Sequence, residues 1–237
     1  MSPHELYSKV EKKSVDPATP QIATIVSAPF TENTYVAHLA GRGDCLVFDP
    51  GLEPDKIIDY LDQQGLMPAA LMITHGHPDH IGGNFALKER WPDCPLVIGR
   101  IDAPKLTSAR LNLSESFGVP VTSPPADVLL DDGDVYRAAG FELEARLIPG
   151  HCSGHVVYVW TSHSPIYVFG GDVLFSGSVG RADLPGCSFA ELAEGIRTKL
   201  FVLPDDTLVL PGHGPTTTVG KEKRGNPYVG ERPRRQG

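Results

Sequence analysis

Four side chains able to ligate a metal ion fall within six positions of one another: His75, His77, Asp79 and His80, in THGHPDH (74–80). The segment follows the apolar run ALMI and precedes IGGNFALKERW. It therefore reads as a loop at the C-terminal end of a strand that feeds, through a Gly-rich turn, into a helix. Neighbouring side chains in such a loop aim at different points, so one segment can serve two cations. A polar surface loop is a poor account of it, because histidine is an uncommon residue and the loop follows a buried strand.

Three further candidates repeat one pattern of apolar run, glycine, ligand: His151 in LIPGH, Asp172 in VFGGD and His213 in LVLPGH. Taken singly, each reads equally well as a structural histidine or a capping aspartate. Strand ends at one edge of a sheet converge on a common rim, however, where loops carry function, and together with the 75–80 loop the three point to one site. Zinc favours imidazole nitrogen and carboxylate oxygen, and its catalytic sites keep a position for water. Iron or manganese can substitute, because ligand type alone does not select the metal. A carboxylate can bridge two cations, and Asp172 is the candidate. Two metals about 3.5–4 Å apart can share a hydroxide, polarise a carbonyl and bring the pKa of bound water to about 7.

The elements that must position these residues are visible as apolar runs. Strands are expected at 23–28, 34–39, 45–51, 70–74, 95–99, 142–150, 156–160, 166–172 and 207–214. Helices are expected over 55–65, with Ile57, Ile58 and Leu61 as its stripe and Gly65 as its C-cap, over 84–91, and over 188–201. In the last of these Ser188 and Glu191 form a capping-box pattern. Strands with interspersed helices predict sheets with helices on their outer faces. Residues 1–20 read as a loose lead-in and 21–237 as a single layered domain.

The composition, 41% hydrophobic and 21% charged in 237 residues, is that of a soluble globular protein. A net charge of -8 argues against nucleic acid as a partner, since such binders carry basic faces. The basic cluster of Lys221, Lys223, Arg224, Arg232, Arg234 and Arg235 reads as a solvated, partly disordered tail. Cys45, Cys94, Cys152 and Cys187 match no zinc ribbon or CxxC pair, no secretory signal precedes them, and no apolar run is long enough to span a bilayer. The expectation is a cytoplasmic protein with reduced thiols and no membrane partner.

The pattern HxHxDH followed by His, Asp and His resembles the metallo-β-lactamase superfamily, from about Ile22 to Val229. The resemblance implies an αββα sandwich with the site at one edge of the two sheets. It also implies that His75, His77 and His151 hold one metal, that Asp79, His80 and His213 hold the other, and that Asp172 bridges them. FTENTYV (30–36), DPG (49–51), GRADLPG (180–186) and GHGPTTTVGKEKRGNPYV (212–229) look like the glyoxalase II-related hydrolases, in particular a short, single-domain bacterial subgroup. Those enzymes hydrolyse S-acyl glutathione thioesters such as S-lactoylglutathione. The sequence departs from full-length members in having no third histidine between His75 and His77. It also ends at Gly237 without the helical C-terminal region that supplies much of the glutathione contact, which leaves the thiol carrier open.

On this reading a metal-bound hydroxide attacks the carbonyl of a small-molecule thioester, and Asp79 orients it while ligating the second metal. Arg181 can attract a substrate carboxylate or form a structural ion pair with Asp183. Tyr228 can line the pocket or pack at an edge. Cys152 is expected to pack beside the site rather than act as a nucleophile, and His155 to support it. Two alternatives stay open within the superfamily. One is a glutathione persulfide dioxygenase with a single iron on His75 or its neighbours, His151 and Asp172. The other is a lactonase or β-lactamase-type hydrolase.

Overall fold

The computed structural model describes residues 19–231. Two six-stranded sheets pack face to face. The first contains, in spatial order, β1 (Pro20–Ser27), β2 (Glu32–Leu39), β3 (Asp44–Phe48), β4 (Met67–Ile73), β5 (Leu96–Gly99) and β6 (Val128–Leu130). Its first three strands form an antiparallel meander, and β3 to β6 run parallel. The parallel steps need crossovers, and two of them carry helices: α1 (Pro54–Gln64), then α2 (Pro78–Ile81) and α3 (Asn84–Arg90). The second sheet contains β7 (Val135–Ala138), β8 (Phe141–Leu147), β9 (Val156–Trp160), β10 (Tyr167–Gly171), β13 (Leu208–Pro211) and β14 (Thr217–Thr218). A small hairpin, β11 (Leu174–Phe175) with β12 (Ser178–Val179), and helix α4 (Phe189–Gly195) lie between β10 and β13 in sequence, and α5 (Val219–Gly225) follows β14.

Both faces of each sheet are apolar, as strands covered on two sides must be. Tyr35, Leu46, Phe48 and Met72 of the first sheet meet Phe141, Tyr158, Phe169 and Leu210 of the second in the central core. The rings of Phe48 and Phe169 stack there, centroids 3.6 Å apart. On its outer face the first sheet packs Val47, Leu71 and Ile98 against Ile57 and Leu61 of α1 and Leu87 of α3. The outer face of the second packs Val157, Val168 and Val209 against Leu192 of α4 and Val219 of α5. The architecture is an αββα sandwich.

Local signals explain the helix ends. Gly65 is left-handed (φ 64°) and its N–H bonds back to Asp62 O, closing α1. The Ser188 hydroxyl accepts from the Glu191 N–H and starts α4. The helix expected over 188–201 is not uniform, since its second half, Ile196–Leu200, is a π-helical turn. The basic residues read as a tail are partly corrected too. Lys221, Lys223 and Arg224 lie in α5, where Lys223 Nζ donates to Phe201 O and Arg224 pairs with Asp205. Arg232, Arg234 and Arg235 lie outside the described residues, as does most of the lead-in expected over 1–20, and Pro20 already opens β1. Among the described residues, no helix is long and apolar enough to cross a membrane.

Candidate metal centre

The ligand candidates sit where β4, β8, β10 and β13 end at one edge of the sandwich. The sequence pattern of glycine then ligand has a steric reason there. A side chain at Gly212 would put its Cβ 2.3 Å from Asp172 Oδ1 and 2.7 Å from His80 Cε1. Gly171 is left-handed (φ 44°), and its Cβ would fall 2.3 Å from Thr74 Oγ1. Only glycine lets these strand ends come so close.

All seven predicted residues converge. Nε2 of His75 lies 3.0 Å from Nδ1 of His77, which lies 2.9 Å from Nε2 of His151. On the other side, Nε2 of His213 is 3.3 Å from Asp79 Oδ2, and Nε2 of His80 is 3.7 Å from the same oxygen. Asp172 reaches both groups. Its Oδ2 is 3.5 Å from His151 and 3.5 Å from His213, and its Oδ1 is 3.4 Å from His80. A tetrahedral zinc shell with bonds of about 2.0–2.1 Å holds its ligand atoms about 3.3–3.4 Å apart, so these separations fit cation binding. His80 Nε2 and Asp172 Oδ1 are buried yet make no hydrogen bond, a costly arrangement unless a cation satisfies them.

Four of the five imidazoles are fixed with Nε2 turned inward. Nδ1 of His151 donates to Arg181 O at 2.8 Å and that of His213 to Phe30 O at 3.1 Å. Nδ1 of His80 donates to Asp49 Oδ2 at 3.1 Å, and that of His75 lies 3.1 Å from Thr74 Oγ1, which donates its own proton to Asp49. Such partners hold the tautomer that presents a bare Nε2 to a metal.

The two groups differ electrically. Burial, reinforced by neighbouring imidazoles, holds His75 well below the ordinary histidine range and His77 at about 3, and burial also lowers His151. These three are neutral donors with lone pairs available. Burial opposes charge on His80 and His213 as well, but the carboxylates of Asp79 and Asp172 override it and raise both. His80 in turn holds Asp79 and Asp172 ionised against their burial.

This geometry agrees with the comparisons to known proteins. The family model for the metallo-beta-lactamase superfamily matches residues 28–213. The chain belongs to the metallo-β-lactamase superfamily. It is 40% identical to the probable metallo-hydrolase YqgX of Bacillus subtilis, over 85% of this chain and 93% of that one. It is 35% identical to the hydroxyacylglutathione hydrolase GloC of Haemophilus influenzae, over 77% and 86%. Among solved structures, the BLEG-1 B3 metallo-beta-lactamase superposes with a TM-score of 0.83 at 34% identity, covering 88% of this chain and 99% of that one. TTHA1623, solved in a di-iron-bound form, superposes at 0.75 with 34% identity, covering 87% and 100%.

Several further residues support the candidate ligand loops; Asp102 lies in no motif, whereas Asp49 lies in DPG and Asn33 in FTENTYV, motifs that by themselves assigned neither residue this role. Asp49 accepts from Thr74 N–H and Oγ–H, both at 2.7 Å, besides His80. Asp102 is fully buried and joins the two ligand loops, accepting from Gly76 N at 2.7 Å, Gly154 N at 3.2 Å and Lys105 Nζ at 2.6 Å. His155 stacks on His75, and its Nε2 accepts from Asp172 N–H at 3.0 Å. Asn33 Nδ2 donates to Pro211 O and Gly214 O, pinning the loop that carries His213.

A cavity of about 300 Å³ opens over both ligand groups, walled by Phe30, Pro78, Leu113, Phe175 and Leu184. Arg181 also lines it, with its Nε and Nη2 donating to Asp183 at 2.8 and 2.9 Å. A substrate carboxylate would have to displace Asp183 to bind the same edge of the guanidinium. Tyr228 is 41% exposed and is not among the residues that line the cavity. Its neighbour Asn226 reaches inward instead, donating to Ser178 O in the β11–β12 hairpin. Cys152 is buried within 3.5 Å of both Asp102 oxygens, and burial pushes its thiol up to about 12, which disfavours a nucleophilic thiolate.

Proposed function

We propose that this chain hydrolyses the thioester of an S-acyl glutathione, S-lactoylglutathione being the first substrate to test. The observation that carries the reading is Asp172, whose two oxygens reach both complete ligand groups, beneath an apolar-walled cavity. The 35% identity to a hydroxyacylglutathione hydrolase supports it. His75, His77 and His151 would hold one divalent cation, zinc, iron or manganese. Asp79, His80 and His213 would hold a second, with Asp172 shared. When bound, the pair supplies a water ionised near neutral pH and a Lewis acid for the carbonyl oxygen.

The chain's own residues do the rest. The carboxylate of Asp79 is partly exposed at the cavity floor and accepts a hydrogen bond from the attacking water, orienting it toward the carbonyl carbon. Phe175 and Leu184 flank the acyl group and exclude bulk water. The carbon–sulfur bond breaks with its electron pair on sulfur, and water's second proton ends on the thiolate. The products are a carboxylic acid and a free thiol.

Purified protein loaded with zinc or iron is assayed with S-lactoylglutathione, nitrocefin and a lactone panel, alongside metal analysis. Thioester hydrolysis with two metals per chain, abolished by Asp79→Ala, is the expected result. The 34% identity to a B3 metallo-beta-lactamase favours β-lactam hydrolysis as a second reading, and nitrocefin turnover without thioester turnover would establish it. One iron per chain with persulfide-dependent oxygen uptake would overturn hydrolysis altogether.

A further inference from the structure

Leu113 has a backbone φ of 71°, a region that a branched aliphatic residue rarely occupies. Among the described residues four non-glycines have positive φ, Thr31, Asp49, Leu113 and Ala139, and of these Leu113 is the only aliphatic side chain larger than a methyl group. The conformation is imposed from both sides. Asn112 is fully buried, and its amide donates to Lys105 O (3.1 Å) and Val121 O (2.9 Å). The same amide accepts from Ser114 N (3.0 Å) and Ser114 Oγ (2.6 Å). Ser114 Oγ in turn accepts from Val121 N at 2.9 Å. Every hydrogen-bonding position of one buried side chain is spent on fixing the residue that follows it, and strain of this kind persists where the surroundings over-determine it.

The strained side chain stands at a boundary. On one side is the cavity of about 300 Å³ over the ligand groups, and on the other a recess of about 110 Å³ lined by Lys105, Leu111, Ser153 and Cys187. The two share His77 and His151, and Leu113 is the only other residue that lines both. Phe30 and Arg181, which also line the larger cavity, are both more than half exposed. A tripeptide carrier placed against these exposed side chains leaves the acyl group to the rest of the cavity, which Leu113 bounds.

We propose that Leu113 is a specificity-determining residue, a wall held in a strained conformation that keeps the acyl chain out of the recess and restricts the enzyme to short acyl groups. This rests on the thioester reading above. One extra methylene in an apolar pocket changes kcat/KM by roughly 10–200-fold, so opening the recess should have a large effect.

The test uses the metal-loaded full chain and its Leu113→Gly and Leu113→Ala variants with S-lactoyl-, S-butanoyl- and S-hexanoylglutathione. The hexanoyl-to-lactoyl ratio of kcat/KM should rise about tenfold or more in both variants. Leu113→Gly should also melt about 2–4 °C above Leu113→Ala, because only glycine relaxes at this φ. An unchanged ratio in variants that still turn over substrate overturns the wall. An alanine variant that melts at or above the glycine variant overturns the strain. If Leu113→Gly does not fold, the alanine variant still decides the ratio. A wild-type protein that hydrolyses none of the three overturns the thioester reading, and this proposal with it.

Discussion

Asp102 carries the sharpest test of how the centre is held together. It is far from any motif, makes no contact with the cavity, and yet connects the loop after β4 to the loop after β8. Replacing it with asparagine keeps the shape but turns one acceptor into a donor, facing either the Gly76 N–H or the Lys105 ammonium. Lys105, whose side chain is 15% exposed, would lose the partner it holds at 2.6 Å. Breaking one side of a buried ion pair typically costs about 3–5 kcal/mol, and each orphaned buried N–H adds about 1–3 kcal/mol. Lys105 borders the recess and can turn toward water there, so the lower end, about 3 kcal/mol, is expected for Asp102→Asn. That is a large share of a total stability of about 5–15 kcal/mol, and it corresponds to a melting shift of about 6–12 °C. Urea unfolding of the metal-loaded protein should show a lower midpoint at unchanged slope. Adding Lys105→Met should restore part of the loss, since removing both charges leaves no unpaired ion. A loss below about 1 kcal/mol, or a double variant less stable than Asp102→Asn, would refute the clamp.

Other outcomes follow from the same geometry. Gly212→Ala drives a methyl group into Asp172 and His80, so the purified variant should hold about one metal per chain or fewer by elemental analysis, and full occupancy would contradict the close approach. Stripping metal with a chelator should lower stability by about 4 kcal/mol relative to protein held at a thousand times its metal dissociation constant, read by calorimetry; equal melting temperatures would argue against a resident cation. Burial pushes the thiols of Cys45 and Cys94 up to about 12, so at pH 8 about one in ten thousand is thiolate, rising tenfold per pH unit. Alkylation of the native protein should therefore reach the partly exposed Cys187 first and leave Cys45 and Cys94 unmodified until the chain is unfolded; rapid labelling of either, mapped by mass spectrometry, would contradict their burial.

The candidate ligands stood out in the sequence because their chemistry and their sterics leave the same mark. His151, Asp172 and His213 each follow a glycine at the end of an apolar strand, and Gly212 shows why, since any side chain there would fill the space the ligands occupy. The long buried strands and α1 were equally plain, being continuous apolar runs or carrying an i, i+4 pair, Ile57 and Leu61, with a glycine stop. The elements that escaped notice, β6, β7, β11, β12, β14, α2 and α5, are short or half-exposed and present no period long enough to count. Asp102, and the anchoring role of Asp49 within its DPG motif, escaped for another reason. An aspartate in sequence is by default a surface residue, and only the folded chain reveals that Asp49 lies 25 residues from the Thr74 it anchors. Tyr228 shows the converse, because proximity to a motif does not determine which neighbour faces inward; there it is the amide of Asn226.

The candidate ligands come from both sheets, which makes the proposed centre sensitive to how the sheets sit on one another. His75 to His80 follow β4 of the first sheet, whereas His151, Asp172 and His213 follow strands of the second. A slide of one sheet over the other by even 1 Å would spoil separations of 3–4 Å on both sides of Asp172. The apolar core resists such a slide only weakly, because dispersion contacts have little directionality. Hydrogen bonds do have direction, and β2 supplies them across the gap. Asn33 N donates to Gly212 O at 2.7 Å, Asn33 Nδ2 to Pro211 O at 2.9 Å, and Tyr35 Oη to Pro211 O at 2.8 Å. These bonds fix the strand end that bears His213 to the sheet that bears His80. Their value to the molecule therefore lies in register more than in net stability, each contributing only about 0.5–1.5 kcal/mol to folding while holding the two halves of the ligand set at bonding distance.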